Sequence, residues 1–149
     1  MARKASSNIK TEQVSPLGAL VKSQRDFFDT GETRDIGVRV NALRRLKQAV
    51  HSHYGDIVGA LREDLRKPEF EAYITEIAFF FQEADQALKN LKRWARPRRV
   101  KTYRLLEPAS SWIQPEPYGS ALIMGPWNYP FQLVMAPLVA ALAAGNTAV

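Results

Sequence analysis

Between Leu17 and Trp94, apolar residues recur at every third or fourth position, the period of a helix with one buried face. Leu17, Leu20, Val21, Gln24 and Phe28 share such a face in the first segment. Ser15 is placed to cap its first turn, and Pro16 fits the first helical position. Gly31 suits the left-handed residue that follows a helix end. A second stripe, Ile36, Val40, Leu43, Leu46 and Val50, predicts a helix from about Asp35 to His51, with Arg39, Arg44, Arg45 and Lys47 mainly on its other side. Ile57, Ala60, Leu61 and Leu65 predict a short third helix, and Pro68 separates it from the next. The longest stripe is Phe70, Ile74, Ile77, Phe81, Ala84, Leu88, Leu91 and Trp94. It predicts a helix from Glu69 to Trp94, ended by Pro97, whose apolar face belongs to a core rather than to a cofactor.

From Val100 the period changes. Val100 to Leu106 alternates like a strand, Glu107 to Ser110 reads as a turn, and Ser111 to Gln114 reads as a returning strand before Pro115 and Pro117. Ser120 to Met124 is a short apolar strand, and Phe131 to Ala144 an apolar helix with Pro137 as a kink point. Thr147 to Val149 begins another strand. Strand, helix and strand at this spacing predict a parallel βαβ unit with a right-handed crossover. The expected fold class is α/β. A polar, flexible tail (1–14) precedes a helical segment (15–97), a β-hairpin (98–117) and the start of an incomplete nucleotide-binding unit (118–149).

Composition narrows the chemistry. The 149 residues contain no cysteine, so they hold no disulfide framework, no thiolate metal site and no thiol nucleophile. Ser110 and Ser111 have no neighbouring histidine to activate them. His51 and His53 lack a third ligand, so no metal site is expected. Met1 to Val14 is polar and is not a secretory signal, which leads to an expectation of a cytoplasmic protein.

The net charge of +6 is unevenly placed, and Pro117 to Val149 carries no charge at all. A charge-free run of that length raises the question of a membrane span. Gly125, Pro126, Asn128, Pro130, Pro137 and Gly145 interrupt it, and a buried strand–turn–helix–strand accounts for it better. Lys92, Arg93, Arg96, Arg98, Arg99, Lys101 and Arg104 crowd together with Trp94 and Tyr103. Such a cluster can bind nucleic acid. It also suits a solvated helix end, where cations favour the dipole, and this second reading is preferred.

The candidate site follows the strand that ends at Met124. A loop there lies at the carboxyl edge of a parallel sheet, where ligands bind in open α/β folds. The Gly125-Pro126 turn keeps the backbone close to a flat ligand, and Trp127 offers an apolar wall. Asn128 offers an amide N–H pair to a developing oxyanion, or a simple cap to the helix that Pro130 can open.

Gly125-Pro126-Trp127-Asn128-Tyr129-Pro130-Phe131, with the apolar helix and Ala144-Gly145-Asn146-Thr147 behind it, is similar to the aldehyde dehydrogenase family throughout Pro117 to Val149. Tyr129 after Trp127-Asn128 resembles the class 3 branch, which acts on fatty and aromatic aldehydes. So does Asp64-Leu-Arg-Lys-Pro-Glu-Phe-Glu-Ala-Tyr-Ile-Thr-Glu-Ile77. The resemblance covers roughly residues 15–149.

It implies that the βαβ unit is the first of a Rossmann-like NAD-binding domain, and that the strands near 100–114 form a hairpin that helps a homodimer assemble. It implies that Asn128 holds the oxygen of a thiohemiacetal, and that Met124, Gly125, Pro126 and Trp127 run along the nicotinamide half of NAD or NADP. Tyr129 would line the substrate tunnel and Tyr73 its mouth. An aldehyde would leave as a carboxylic acid. The family's cysteine, general-base Glu, phosphate turn and ribose-binding Lys and Glu would all lie beyond Val149, so the 149 residues alone are expected to be inactive. Neither a nucleic-acid partner nor a membrane span is implied. The alternatives are a non-catalytic interaction module and, behind it, a basic nucleic-acid-binding domain.

Overall fold

A computed structural model describes residues 15–149, so the tail expected over 1–14 lies outside the described residues. Helix α1 (Pro16–Asp29) starts where Ser15 Oγ accepts the Gly18 N–H at 3.1 Å. Gly31 turns left-handed after it, with φ of 80°. Asp35 caps α2 (Ile36–Ser52) by accepting the Val38 N–H at 3.0 Å. Helix α3 (Tyr54–Leu65) closes at Arg66, whose φ is 58°.

The long helix expected from Glu69 is present with one change of pitch. Helix α4 (Glu69–Ala72) passes into a π-helical segment (Tyr73–Ile77) and then into α5 (Ala78–Trp94). The wider turn alters which residues face inward. Ala72, Glu76, Ile77 and Phe80 are buried, whereas the expected core residues Phe70 and Ile74 are 76% and 44% exposed. A π turn inserts an extra residue into the helical repeat, so a stripe counted at constant pitch loses its phase there.

The core lies between α2, α5 and α6 (Gln132–Ala144). Leu43, Val50, Phe80, Ala84, Ala87, Leu91, Val139 and Ala143 form one cluster. Phe80 meets Phe81 and Phe131 edge-on, with ring centres 5.3 and 6.0 Å apart. The apolar face of α1 is only partly covered, and Leu17 and Leu20 stay exposed.

Arg39 departs from its expected place on the solvent side of α2. It is buried, and its guanidinium donates to the carbonyl oxygens of Thr33, Arg34 and Ala143 at 2.6, 3.2 and 3.4 Å. Backbone carbonyls left free at a helix end make such a position habitable for a cation. Burial pulls the Arg39 pKa below its ordinary value, and Glu116 and Asp35 pull it the other way.

Strand β1 (Arg98–Val100) pairs antiparallel with β2 (Ser111–Ile113), with Arg99 opposite Trp112. The first strand thus lies earlier than the alternation in Val100 to Leu106 predicted. Arg104–Leu106 instead form a short 3-10 turn, and Leu105 and Leu106 are exposed. Alternation there faces no core, so the three residues opposite Ser111–Ile113 set the pairing.

Strand β3 (Ser120–Ala121) pairs parallel with β4 (Thr147–Ala148). The Ile123 N–H donates to Val149 O at 2.9 Å and carries the pairing further. Helix α6 joins these strands and contains Pro137. The βαβ order is therefore as expected. Each residue between α6 and β4 has a defined contact. The Gly145 and Asn146 N–H groups close onto Leu142 and Ala141 carbonyls, and Asn146 Oδ1 accepts the Gly119 N–H at 3.0 Å. Thr147 Oγ1 meets Ser120 Oγ at 2.7 Å and donates to Gln24 O at 3.1 Å, tying the sheet to α1. Among the described residues, no helix is long and apolar enough to cross a membrane.

Gly145 has a φ of 89°, and an added Cβ would meet Arg39 Cζ at 2.6 Å. Gly145→Ala therefore forces a left-handed alanine and displaces a buried guanidinium. It should lower stability by about 1–2 kcal/mol from the backbone alone, and further through Arg39. Urea unfolding checks this, and an unchanged midpoint would contradict the packing of Arg39 on Gly145.

Candidate functional site

The loop after β3 is held against the first turn of α6. At Gly125 an added Cβ would lie 2.3 Å from Val134 Cγ2, closer than any real contact, so the backbone can approach the helix this closely only without a side chain. Beyond it the chain opens to solvent. Met124 is 81% and Trp127 90% exposed, and Pro126 and Asn128 are exposed as well. These residues present a broad apolar surface with one primary amide beside it, at the carboxyl end of a parallel strand.

Beneath the loop sits a buried ion pair. Lys67 follows the left-handed Arg66 and precedes Pro68, and its ammonium bonds to the Glu76 carboxylate. Glu76 is fully buried and Lys67 nearly so. The pair reaches the loop from both sides. The Lys67 ammonium also donates to the Asn128 carbonyl oxygen at 3.1 Å and lies 4.1 Å from the centre of the Tyr129 ring. The Glu76 carboxylate accepts the backbone N–H groups of Phe131 at 2.9 Å and Gln132 at 3.2 Å. Those N–H groups begin α6, where a helix has unpaired donors and a partial positive charge. A carboxylate there is a charge-assisted cap. Lys67 and Glu76 thus grip both ends of the segment from Asn128 to Gln132.

The structure brings most of the residues singled out in the sequence into one stretch. Met124, Gly125, Pro126, Trp127, Asn128 and Tyr129 form the loop, with Tyr129 under the Lys67 ammonium. Tyr73 lies on the π segment, three residues before Glu76, and packs edge-on against Tyr54 with ring centres 6.3 Å apart. Lys67 and Glu76 were not singled out. Glu76 alone carries a signal in the sequence, a charge where the neighbouring turns are apolar, since it lies four residues from both Ala72 and Phe80. Of the two histidines weighed as ligands, His53 has its Nδ1 3.0 Å from Asp56 Oδ2 on the exposed start of α3. In the basic cluster, Arg99 lies over the Trp112 ring at 6.0 Å and donates to Ser110 Oγ.

Residues 3–149 match the model of the aldehyde dehydrogenase family. The chain is 47% identical over 123 residues to the 4,4'-diaponeurosporen-aldehyde dehydrogenase of Staphylococcus aureus, covering 83% of this chain and 27% of that protein. It is 42% identical over 130 residues to aldehyde dehydrogenase family 3 member H1 of Arabidopsis thaliana, covering 87% and 27%. It is 35% identical over 136 residues to the dimeric NADP-preferring aldehyde dehydrogenase of Canis lupus familiaris, covering 91% and 30%. A solved structure described as the substrate-bound state of Staphylococcus aureus AldH superposes with a TM-score of 0.86 at 44% identity, covering 89% of this chain and 29% of that one. The chain therefore spans under a third of the length of these relatives. Its helices, paired strands and βαβ unit make up a truncated aldehyde dehydrogenase fold of class 3-like character. The chain belongs to the aldehyde dehydrogenase family.

Proposed function

We propose that these residues supply the oxyanion site and the nicotinamide-side wall of an NAD- or NADP-dependent enzyme that oxidises an aldehyde to a carboxylic acid. The observation that carries this reading is the Asn128 loop. Its backbone is pinned by a buried charge at the carboxyl end of β3, while Asn128 itself stays exposed. A fixed backbone with an accessible amide is what electrostatic stabilisation requires, because the donor must not reorganise as charge develops.

The surface beside Asn128 suits a dinucleotide. Met124 and Trp127 offer apolar area to a flat ring, and Gly125 keeps the backbone close to the helix start. Met124, Gly125, Pro126 and Trp127 would hold the nicotinamide half of NAD or NADP, which would accept a hydride from the thiohemiacetal carbon, and water would release the resulting thioester as the carboxylic acid. The thiol that adds to the aldehyde comes from a cysteine outside these residues, and the thiohemiacetal oxygen then carries the developing negative charge. Asn128 donates its side-chain N–H to that oxygen. Tyr129 walls the substrate tunnel, and its ring is held by the Lys67 ammonium. Tyr73 stands at the tunnel mouth.

By this reading, residues 15–97 form the helical support, 98–117 an oligomerisation hairpin and 118–149 the opening of the nucleotide-binding domain. The hairpin supports a homodimer, because Trp112 and Ile113 on β2 are 59% and 46% exposed and offer apolar surface to a second subunit.

Both proposals can be tested in one molecule, residues 1–149 continued by the remaining segment of the Staphylococcus aureus relative. Asn128→Ala in that protein should lower kcat by about 100-fold or more. Unchanged turnover would remove Asn128 from the mechanism. Replacing Ile113 by Asp should shift the protein from dimer toward monomer in light scattering at micromolar concentration. A mass that stays dimeric would place the interface elsewhere.

A further inference from the structure

We infer that Lys67 and Glu76 are positioning residues for the oxidation reaction, a buried clamp that sets where the Asn128 amide stands. The inference rests on the oxyanion reading of Asn128 and goes beyond it. The clamp lies on a different part of the chain, and its contact with Asn128 is to the backbone oxygen only. Lys67 is 61 residues from Asn128 in sequence, and Glu76 is 55 from Phe131. The loop's place is therefore set from the helical segment and not by the βαβ unit alone.

Three observations support the assignment. First, the pair is buried, and a charge out of water persists only where its remaining bonding capacity is used. Here that capacity is spent on the Asn128 carbonyl, the Tyr129 ring and the Phe131 and Gln132 N–H groups. Second, Glu76 lies in the π segment, a costly local geometry that recurs at functional sites. The wider turn lets Glu76 share the buried side with Ile77 and Phe80, next to the start of α6. Third, Pro117 to Val149 contains no charge of its own, so the site's fixed charges must come from elsewhere, and this pair brings one of each sign.

A clamp on the backbone acts through the amide it carries. A small displacement of a catalytic donor costs about 100-fold in rate, so loosening the loop should lower kcat while leaving nucleotide affinity nearly intact. In the extended protein described above, Lys67→Met should reduce kcat by about 10–100-fold and change the nucleotide KM by less than about threefold. The same substitution on an Asn128→Ala background should change kcat by less than about threefold, because the amide it positions is gone. Hydrogen exchange should speed up more at the Phe131 and Gln132 amides than in the middle of α5.

If Lys67→Met does not fold, Glu76→Gln carries the same test, since it keeps an acceptor for the two N–H groups and loses the charge facing Lys67. Two outcomes overturn the clamp. One is a kcat within twofold of the parent while Asn128→Ala is impaired. The other is a Lys67→Met effect that multiplies in full with that of Asn128→Ala. A different result separates the underlying reading: if Asn128→Ala keeps full turnover, the oxyanion assignment fails. The holding of the loop is then judged by hydrogen exchange alone, where unchanged protection at Phe131 and Gln132 overturns it.

Discussion

Two opposite charges with almost no access to water hold this structure's two halves in register. Taking an ammonium and a carboxylate out of water costs several kcal/mol for each ion, so the Lys67–Glu76 attraction does not stabilise the fold by itself. The pair is tolerated because each partner is saturated by further groups, and those groups lie across the chain on the Asn128 loop and the first turn of α6. Removing one partner would leave an uncompensated buried charge, typically a loss of about 3–5 kcal/mol. The clamp thus penalises any arrangement in which the loop and the helical segment part.

The opposite end of α6 is fixed by a different device. Arg39 reaches the Ala143 carbonyl, Gly145 leaves room for the guanidinium, and Asn146 and Thr147 bond to Gly119, Ser120 and Gln24. A cation therefore meets the negative end of the helix and a carboxylate meets the positive end, the arrangement that the helix dipole favours. Between these ends the helix carries no charge, and Val139 and Ala143 pack into the cluster built on Leu43, Phe80 and Leu91. One apolar helix held by buried charges at both ends gives the β3 loop a rigid floor.

The parts of this arrangement that repeat locally could be read in the sequence. Ser15, Pro16, Asp35 and Gly31 sit where helix ends demand their chemistry, and the order strand, helix, strand follows from Ser120 to Val149. The loop itself stood out because Gly125-Pro126-Trp127-Asn128 breaks an apolar run, and its likeness to a known family gave it a chemistry that periodicity cannot supply. What escaped depends on distant partners. Arg39 looked outward because its acceptors include a carbonyl 104 residues away. The π segment moved Phe70 and Ile74 off the core face, a change of pitch that no spacing in the sequence announces. Val100 to Leu106 alternates without a core to cover, so its pattern misplaced the hairpin. Lys67 is an ordinary helix-end residue and Glu76 an isolated charge within a long helix until Asn128, Phe131 and Gln132 are set beside them.

The most direct test is the crystal structure of a complete enzyme carrying this segment, trapped with an aldehyde on its cysteine. In that complex the Asn128 side-chain nitrogen should lie about 3 Å from the substrate oxygen while the Lys67 ammonium still holds the Asn128 carbonyl. A substrate oxygen bound by other donors, with Asn128 turned away or its carbonyl released from Lys67, would contradict it.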